Sequence, residues 1–225
     1  MADASGRLVD LELIGAARHP HLNATNLTLR PGLTLLTGPD RACQAALVRL
    51  LALRWPPTQG TMLVDGRDVS EMTPAARAAV TRKVGFAPAD TVLPSHLRVR
   101  TALSYLAALW QVPGQARIDA EMERWDLVPL QRQRLGSISP GERRRFVLAA
   151  SLVMSPDLWL LEHPFDGLDL PGRNLLRQLL ISAALDGGNP RRVLLAHHDD
   201  DVKSLDLPAQ THLVASAGEV SRVAP

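Results

Sequence analysis

One cysteine, Cys43, stands in 225 residues. A single thiol cannot close an internal disulfide, so the fold must rest on its core, and a reducing compartment fits. No apolar run approaches the roughly 18–20 residues that cross a bilayer. Work at a membrane would therefore need a partner. The opening MADASGRLVD lacks the basic-then-apolar order of a secretory signal. Charge of one sign is also lacking. The net charge is +2, which gives no bulk electrostatic case for binding nucleic acid. Lysine is nearly absent, with Lys83 and Lys203 alone, and that skew carries no functional reading. There is no internal repeat and no linker. What is present is ordinary for a globular chain, 46% hydrophobic and 21% charged residues, and long enough for one α/β core with a subdomain.

Chemistry concentrates in two stretches. The first is a short apolar strand, Leu33–Thr37, followed by Gly38-Pro39-Asp40-Arg41-Ala42-Cys43-Gln44-Ala45-Ala46 and a helix to about Leu53. Strand, loop and helix in this order form the layout of a P-loop. There glycines let backbone N–H groups close on phosphates, a Lys reaches the β- and γ-phosphates, and a Ser or Thr holds Mg²⁺. Here Gln44 takes the Lys position and Ala45 the hydroxyl position. Arg41 and Cys43 take two glycine positions, where a positive φ costs a non-glycine residue roughly 1–2 kcal/mol. A charge-assisted hydrogen bond is worth roughly 1.5–3 kcal/mol, so these losses predict Mg-ATP binding weaker by orders of magnitude. Arg41 returns some positive charge, which Asp40 offsets. The plainer alternative is a strand-to-helix connection in which Leu47, Leu50 and Leu51 pack a core.

The second stretch runs from Ser137 to Asp169. Ser139-Pro140-Gly141-Glu142 has the form of a capping box with Pro in the first helical position. Phe146 to Met154 is apolar nearly all round, which predicts a buried helix. Leu158–Leu161 reads as a central parallel strand that ends in a charge, Glu162. Around these stretches, strands are expected at Leu8–Ile14, Leu22–Leu29, Thr61–Val64, Val84–Ala87, Arg192–Ala196 and, as a final pair, Thr211–Val223. Helical spacing is expected from Asp90 to Leu135, with Tyr105, Trp110 and Trp125 as helix core, and again over Leu175–Leu185. His197-His198-Asp199 suggests a metal site, but neighbouring strand residues face opposite ways, so shared ligation by the two histidines is not expected.

The order and spacing of these motifs resemble the ATP-binding cassette (ABC) family, over nearly the whole chain. The resemblance implies an α/β fold: a P-loop NTPase-like core with a mostly parallel sheet flanked by helices, N-terminal antiparallel strands and an inserted helical subdomain. It implies a single domain over 1–225, with core 1–88 and 146–225 and helical subdomain about 89–145. It implies ATP with Mg²⁺ as cofactor, held between the P-loop of one cassette and the signature motif of another. It also implies a second ATPase subunit, an integral membrane permease that docks in a groove of the helical subdomain, and a place on the cytoplasmic face of the membrane.

Site roles follow by the same resemblance. Ser139, Gly141 and Glu142 fall in the signature, with Pro140 removing one N–H, and Asp169 in the D-loop. Ala89 stands where the family has a Gln that senses Mg²⁺ and water. Glu162 stands at the Walker B carboxylate, His163 at the general base and His198 at the switch histidine. The aromatic that stacks on adenine is missing; His19 or His21 could stand in. The functions lost are those this chain needs at its own P-loop. Those kept are the ones it offers across an interface. The expectation is a pseudo-ATPase half of an asymmetric transporter. Two alternatives stay open: an active ATPase using Arg41 and His163, and a scaffold or regulator that kept the fold.

Overall fold

The computed structural model describes residues 10–112, 114–185, 192–198 and 206–223. Among the described residues, ten strands make two sheets. β1 (Leu11–Arg18), β2 (Leu22–Thr28), β4 (Gln59–Val64) and β5 (Arg67–Asp68) form an antiparallel sheet in the order β2-β1-β4-β5. The second sheet runs β10-β9-β3-β8-β7-β6, with β3 (Gly32–Thr37), β6 (Val84–Ala87), β7 (Leu158–Glu162), β8 (Arg192–Ala196), β9 (Thr211–Ser216) and β10 (Glu219–Val223). All its pairings are parallel except the β9–β10 hairpin.

The continuous apolar run of β7 is explained by burial of both faces. Trp159 and Leu161 join an apolar cluster with the helices, while Leu158 and Leu160 join a second cluster with the antiparallel sheet. β8 divides the same way, Val193 and Leu195 against Leu194 and Ala196. Alternation with period two thus persists inside a run that reads as uniformly apolar. One residue of slip would exchange the two sets.

Helix α1 (Arg41–Leu51) packs in the second cluster through Leu47, Leu50 and Leu51. α2 (Pro74–Thr81) lies on the surface, capped by Thr73. α3 (Val99–Leu109), α4 (Ala116–Arg124) and α5 (Pro140–Leu152) pack on the other face. α6 (Leu170–Leu185) follows β7. α5 is buried around most of its circumference, as its composition predicts, and Trp159 Nε1 donates to Ser151 Oγ on it at 2.9 Å.

The strand expectations match the observed elements except that the first, expected at Leu8–Ile14, begins at Leu11 and runs on to Arg18; residues 8–9 lie outside the described residues. Three expectations change. Asp90–Arg98 is not helical, and helix begins at Val99. Pro94 disfavours an α conformation just before it, and Leu97 N–H instead turns back to Pro94 O. α6 begins at Leu170, five residues before the predicted Leu175, because Asp169 Oδ1 accepts Gly172 N–H at 3.1 Å and starts the helix. Of the three aromatics expected in the helix core, Trp125 is fully buried, but Tyr105 is 58% exposed and Trp110 is half-buried.

Candidate functional site

The loop after β3 is where backbone must turn sharply into α1. Gly38 has φ 111°, and a Cβ there would meet Ala215 O on β9, so only glycine fits. Arg41 and Cys43 sit inside α1, and neither has positive φ. The strain expected at those two positions is absent because the helix starts one turn early and takes both into its regular geometry.

Asp40 closes this loop. Its Oδ1 accepts Cys43 N–H at 2.9 Å as the N-cap of α1, and its Oδ2 accepts Gly218 N–H from the β9–β10 turn at 2.8 Å. The bonds from Cys43 and Gly218 hold the carboxyl below its ordinary pKa. Gln44 is fully buried and turns back on the loop, its Nε2 donating to Gly38 O at 2.9 Å while Oε1 has no partner. Ala45 offers only a methyl group. Cys43 is buried, and burial pushes its thiol up to about 11. Pro39, Arg41 and Ala42 are exposed. Arg41 does not face the loop; its guanidinium Nη2 is hydrogen-bonded to His198 Nε2.

The carboxylate at the end of β7 is equally engaged. Glu162 is 3% exposed. Its Oε1 lies 3.4 Å from Arg49 Nη2 on α1, and Oε2 accepts Ala89 N–H at 3.3 Å. The residue at the Gln position thus contributes its backbone, not a side chain. Arg49 also stacks over Trp55, with Arg18 on the same ring. His19 and His21, considered as adenine stackers, are exposed in the β1–β2 turn.

His163 holds φ 46°, fixed by its N–H on Ala196 O at 2.8 Å. Its ring is buried 4.8 Å from that of His198 and 5.5 Å from that of His197. Burial lowers its pKa to about 4, helped by the neighbouring His197. It is therefore neutral at ordinary pH and a weak base. Its Nδ1 is buried without a partner. His197 accepts the His198 N–H on Nδ1 at 2.8 Å and places Nε2 3.7 Å from Asp166 Oδ1. Both histidines lie past the end of β8, so strand alternation does not separate them, and the rings of both approach His163. A nitrogen of His198 instead comes within 4.8 Å of ligand atoms of His163 and Asp166, a grouping across the sheet that the reading of adjacent residues missed.

A second group forms at the start of α5. Ser139 Oγ accepts Glu142 N–H at 3.2 Å and Glu142 Oε2 accepts Ser139 N–H at 2.7 Å, so the capping box is formed. Ser139 remains exposed. A Cβ on Gly141 would lie 3.2 Å from Asp169 N, so the two predicted motifs touch. Arg145 bridges Asp169 Oδ2 and Asp126 Oδ2, each at 3.2 Å.

Arg144 couples the two groups and was not singled out by sequence. From α5 it donates to Pro164 O, Pro88 O, Glu162 O and His163 O. Burial lowers its pKa, opposed by Asp166, Glu162 and Asp90. A run of three arginines after a capping box gives no sign that the middle one is internal.

Among solved structures, the fold is similar to a dimeric bacterial ABC transporter cassette, with TM-score 0.79, 17% identity and cover of 94% of this chain and 97% of that one. The same score and 15% identity relate it to a cassette dimer bound to ADP and Pi, covering 96% and 99%. The fold is thus that of an ATP-binding cassette. The ABC transporter family model matches residues 22–166, and the chain belongs to that family. It is 31% identical over 211 residues to an ABC transporter ATP-binding/permease protein of Mycobacterium tuberculosis, across 91% of this chain and 23% of that protein. It is 30% identical over 217 residues to a sulfate/thiosulfate import ATP-binding protein of Brucella melitensis, across 92% and 57%. The chain therefore spans from just under a quarter to somewhat over half of these relatives.

Proposed function

We propose that this chain is the cassette component of an ABC transporter that does not hydrolyse ATP at its own P-loop, and that it pairs with a competent cassette, to which it lends Ser139, Gly141 and Asp169. The observation that carries the reading is Asp40. Its carboxylate already occupies the Cys43 and Gly218 N–H groups, and a negative charge there opposes a phosphate.

The residues present do not fit Mg-ATP at this P-loop. Gln44 is tied to Gly38 O and brings no charge, Ala45 brings no oxygen, and Glu162 is held by Arg49 and the Ala89 N–H. The unorthodox ATPase fares worse on the same ground, since Arg41 is turned to His198 and His163 is a weak base. The group around Ser139 also carries an internal carboxylate, Glu142, which takes the Ser139 N–H, but the Ser139 hydroxyl accepts one bond and its proton is free to be donated outward.

Attachment to a permease is supported by an apolar groove of about 350 Å³ between β6, α3 and α5, lined by Phe86, Leu97, Tyr105, Leu106, Trp110 and Val147. No described helix is long and apolar enough to cross a membrane. In the proposal the chain sits on the cytoplasmic face through that groove.

The test is Mg-ATP binding and turnover by the purified chain, then turnover by the complex isolated from membranes with and without Ser139→Arg. The chain alone is expected to turn over no ATP, and the substitution to lower the complex's turnover at least tenfold. Appreciable turnover by the chain alone overturns the pseudo-ATPase reading. An unchanged rate in the Ser139→Arg complex overturns the donated signature. If no membrane protein is isolated with the chain, the scaffold alternative gains.

A further inference from the structure

The histidine cluster beyond β7 and β8 has no role in the reading above. His163 and Asp166 are joined by a single turn, Asp166 N–H on His163 O at 3.2 Å, so their side chains leave the backbone close together. His198 arrives from the neighbouring strand, where Glu162 pairs with Ala196. One ring nitrogen from each histidine and one Asp166 oxygen lie within 4.8 Å of one another. His163 is 6% exposed and its Nδ1 lacks any partner. An unsatisfied buried nitrogen is costly unless something fills the place beside it. The Asp166 side chain is 56% exposed, and its Oδ1 lies 3.7 Å from His197 Nε2.

We propose that His163, Asp166 and His198 bind one divalent transition-metal ion of the zinc class, and that the ion displaces Arg41 from the His198 ring. Two imidazoles and one carboxylate suit zinc, cobalt or nickel, whereas Mg²⁺ takes oxygen ligands. Three protein ligands leave a position open to water or a small anion. Metal–ligand bonds of about 2.0–2.2 Å bring tetrahedral ligand atoms to roughly 3.4 Å apart, so the cluster has to tighten by somewhat over an ångström. The exposed Asp166 and the half-buried His198 can supply that movement. Arg41 is the competing cation. It is exposed and held at this ring by its end alone, so its release disturbs no core. Nothing in this proposal requires nucleotide or a second cassette, and its failure would leave the proposed function untouched.

Co²⁺ is the probe, added to the metal-free purified chain and followed by its visible ligand-field absorption, with Zn²⁺ as competitor. One equivalent should produce the intense bands of a four-coordinate site, removed by Zn²⁺. Asp166→Asn and His198→Asn should each weaken binding at least about tenfold, the lower end of what even a supporting residue contributes. Arg41→Gln should strengthen it severalfold, because it removes a like charge and a competitor for His198. Asp166 lies outside the core, so its variant is expected to fold even if one at His163 does not. Absence of the bands, or affinity unchanged in both the Asp166→Asn and His198→Asn chains, overturns the site. Weaker binding by Arg41→Gln overturns the displacement.

Discussion

Asp40 shows how one side chain can decide what a loop is able to hold. A helix N-terminus with free N–H groups attracts an anion, and here the anion is built in. Asp40→Ala should cost about 1 kcal/mol through loss of the cap, seen as a melting temperature lower by roughly 2–4 °C for a chain of this size. A change within half a degree would mean the two N–H groups find other partners. His163 gives a pH dependence at the same scale. Its pKa falls from 6.5 to about 4 on folding, so the unfolded chain binds more protons between those values. Its contribution to stability is full above about pH 6.5 and is lost progressively as pH falls towards 4. The groups that face it are His197, His198, Asp166 and Arg41, and only Asp166 favours its charged form. In chelator-containing buffer, His163→Asn should therefore lose less melting temperature between pH 7 and pH 5 than the parent chain. Equal losses would show that the titration lies elsewhere in the cluster.

Among the elements, α5 was the most legible from sequence and also the one with two readings. Ser139, Pro140 and Glu142 mark its start whether or not a nucleotide is ever met, and both cap bonds are formed. Asn caps a helix about as well as Ser but lacks a hydroxyl. Ser139→Asn should leave the melting temperature of the chain unchanged while lowering ATP turnover of the proposed complex severalfold; Ser139→Ala should lower both, the first by about 1 kcal/mol of stability. Unchanged turnover with Ser139→Asn would reduce Ser139 to a cap. Strand positions could be followed in sequence because each apolar run was short and bounded, and β3, β7 and β8 form where such runs stand. What could not be followed was what side chains do after the strands end. The turn from Glu162 to Asp166 and the close approach of β8 set His163 beside His198, a contact between residues 35 positions apart. No local pattern encodes it. Likewise, the glycine positions filled by Arg41 and Cys43 suggested strain, but Asp40 starts the helix before them and removes the need for positive φ. The early start of α6 has the same cause, a capping Asp169 that the family resemblance had marked for another role.

For the whole molecule, the question is where force would pass to a partner. Two apolar clusters lie on opposite faces of the parallel sheet. The groove between β6, α3 and α5 is different: it opens outward and carries an aromatic rim. Tyr105 and Leu109 on α3 are each 58% exposed, and Val92 on the preceding segment is fully exposed. Apolar side chains gathered at a concave surface are what a docked helix buries, with a few anchors carrying most of the affinity. The floor of this groove is α5, through Phe146 and Val147, and α5 carries Arg144, which grips the carbonyls of Glu162 and His163. A helix seated in the groove would thus press on the same element that holds the end of β7 and begins at Ser139. Tyr105→Asp puts a charge on the rim without touching the core. If the chain docks on a membrane partner as proposed, the substitution should abolish co-isolation with that partner and leave the melting temperature within about 1 °C, as expected of an exposed position away from buried features. A variant that still binds its partner at parental levels would remove the groove from the interface. One that unfolds would mean Tyr105 packs more than its exposure indicates, and Leu109→Asp, on the next turn of the same helix, then distinguishes docking from stability by the same pair of measurements.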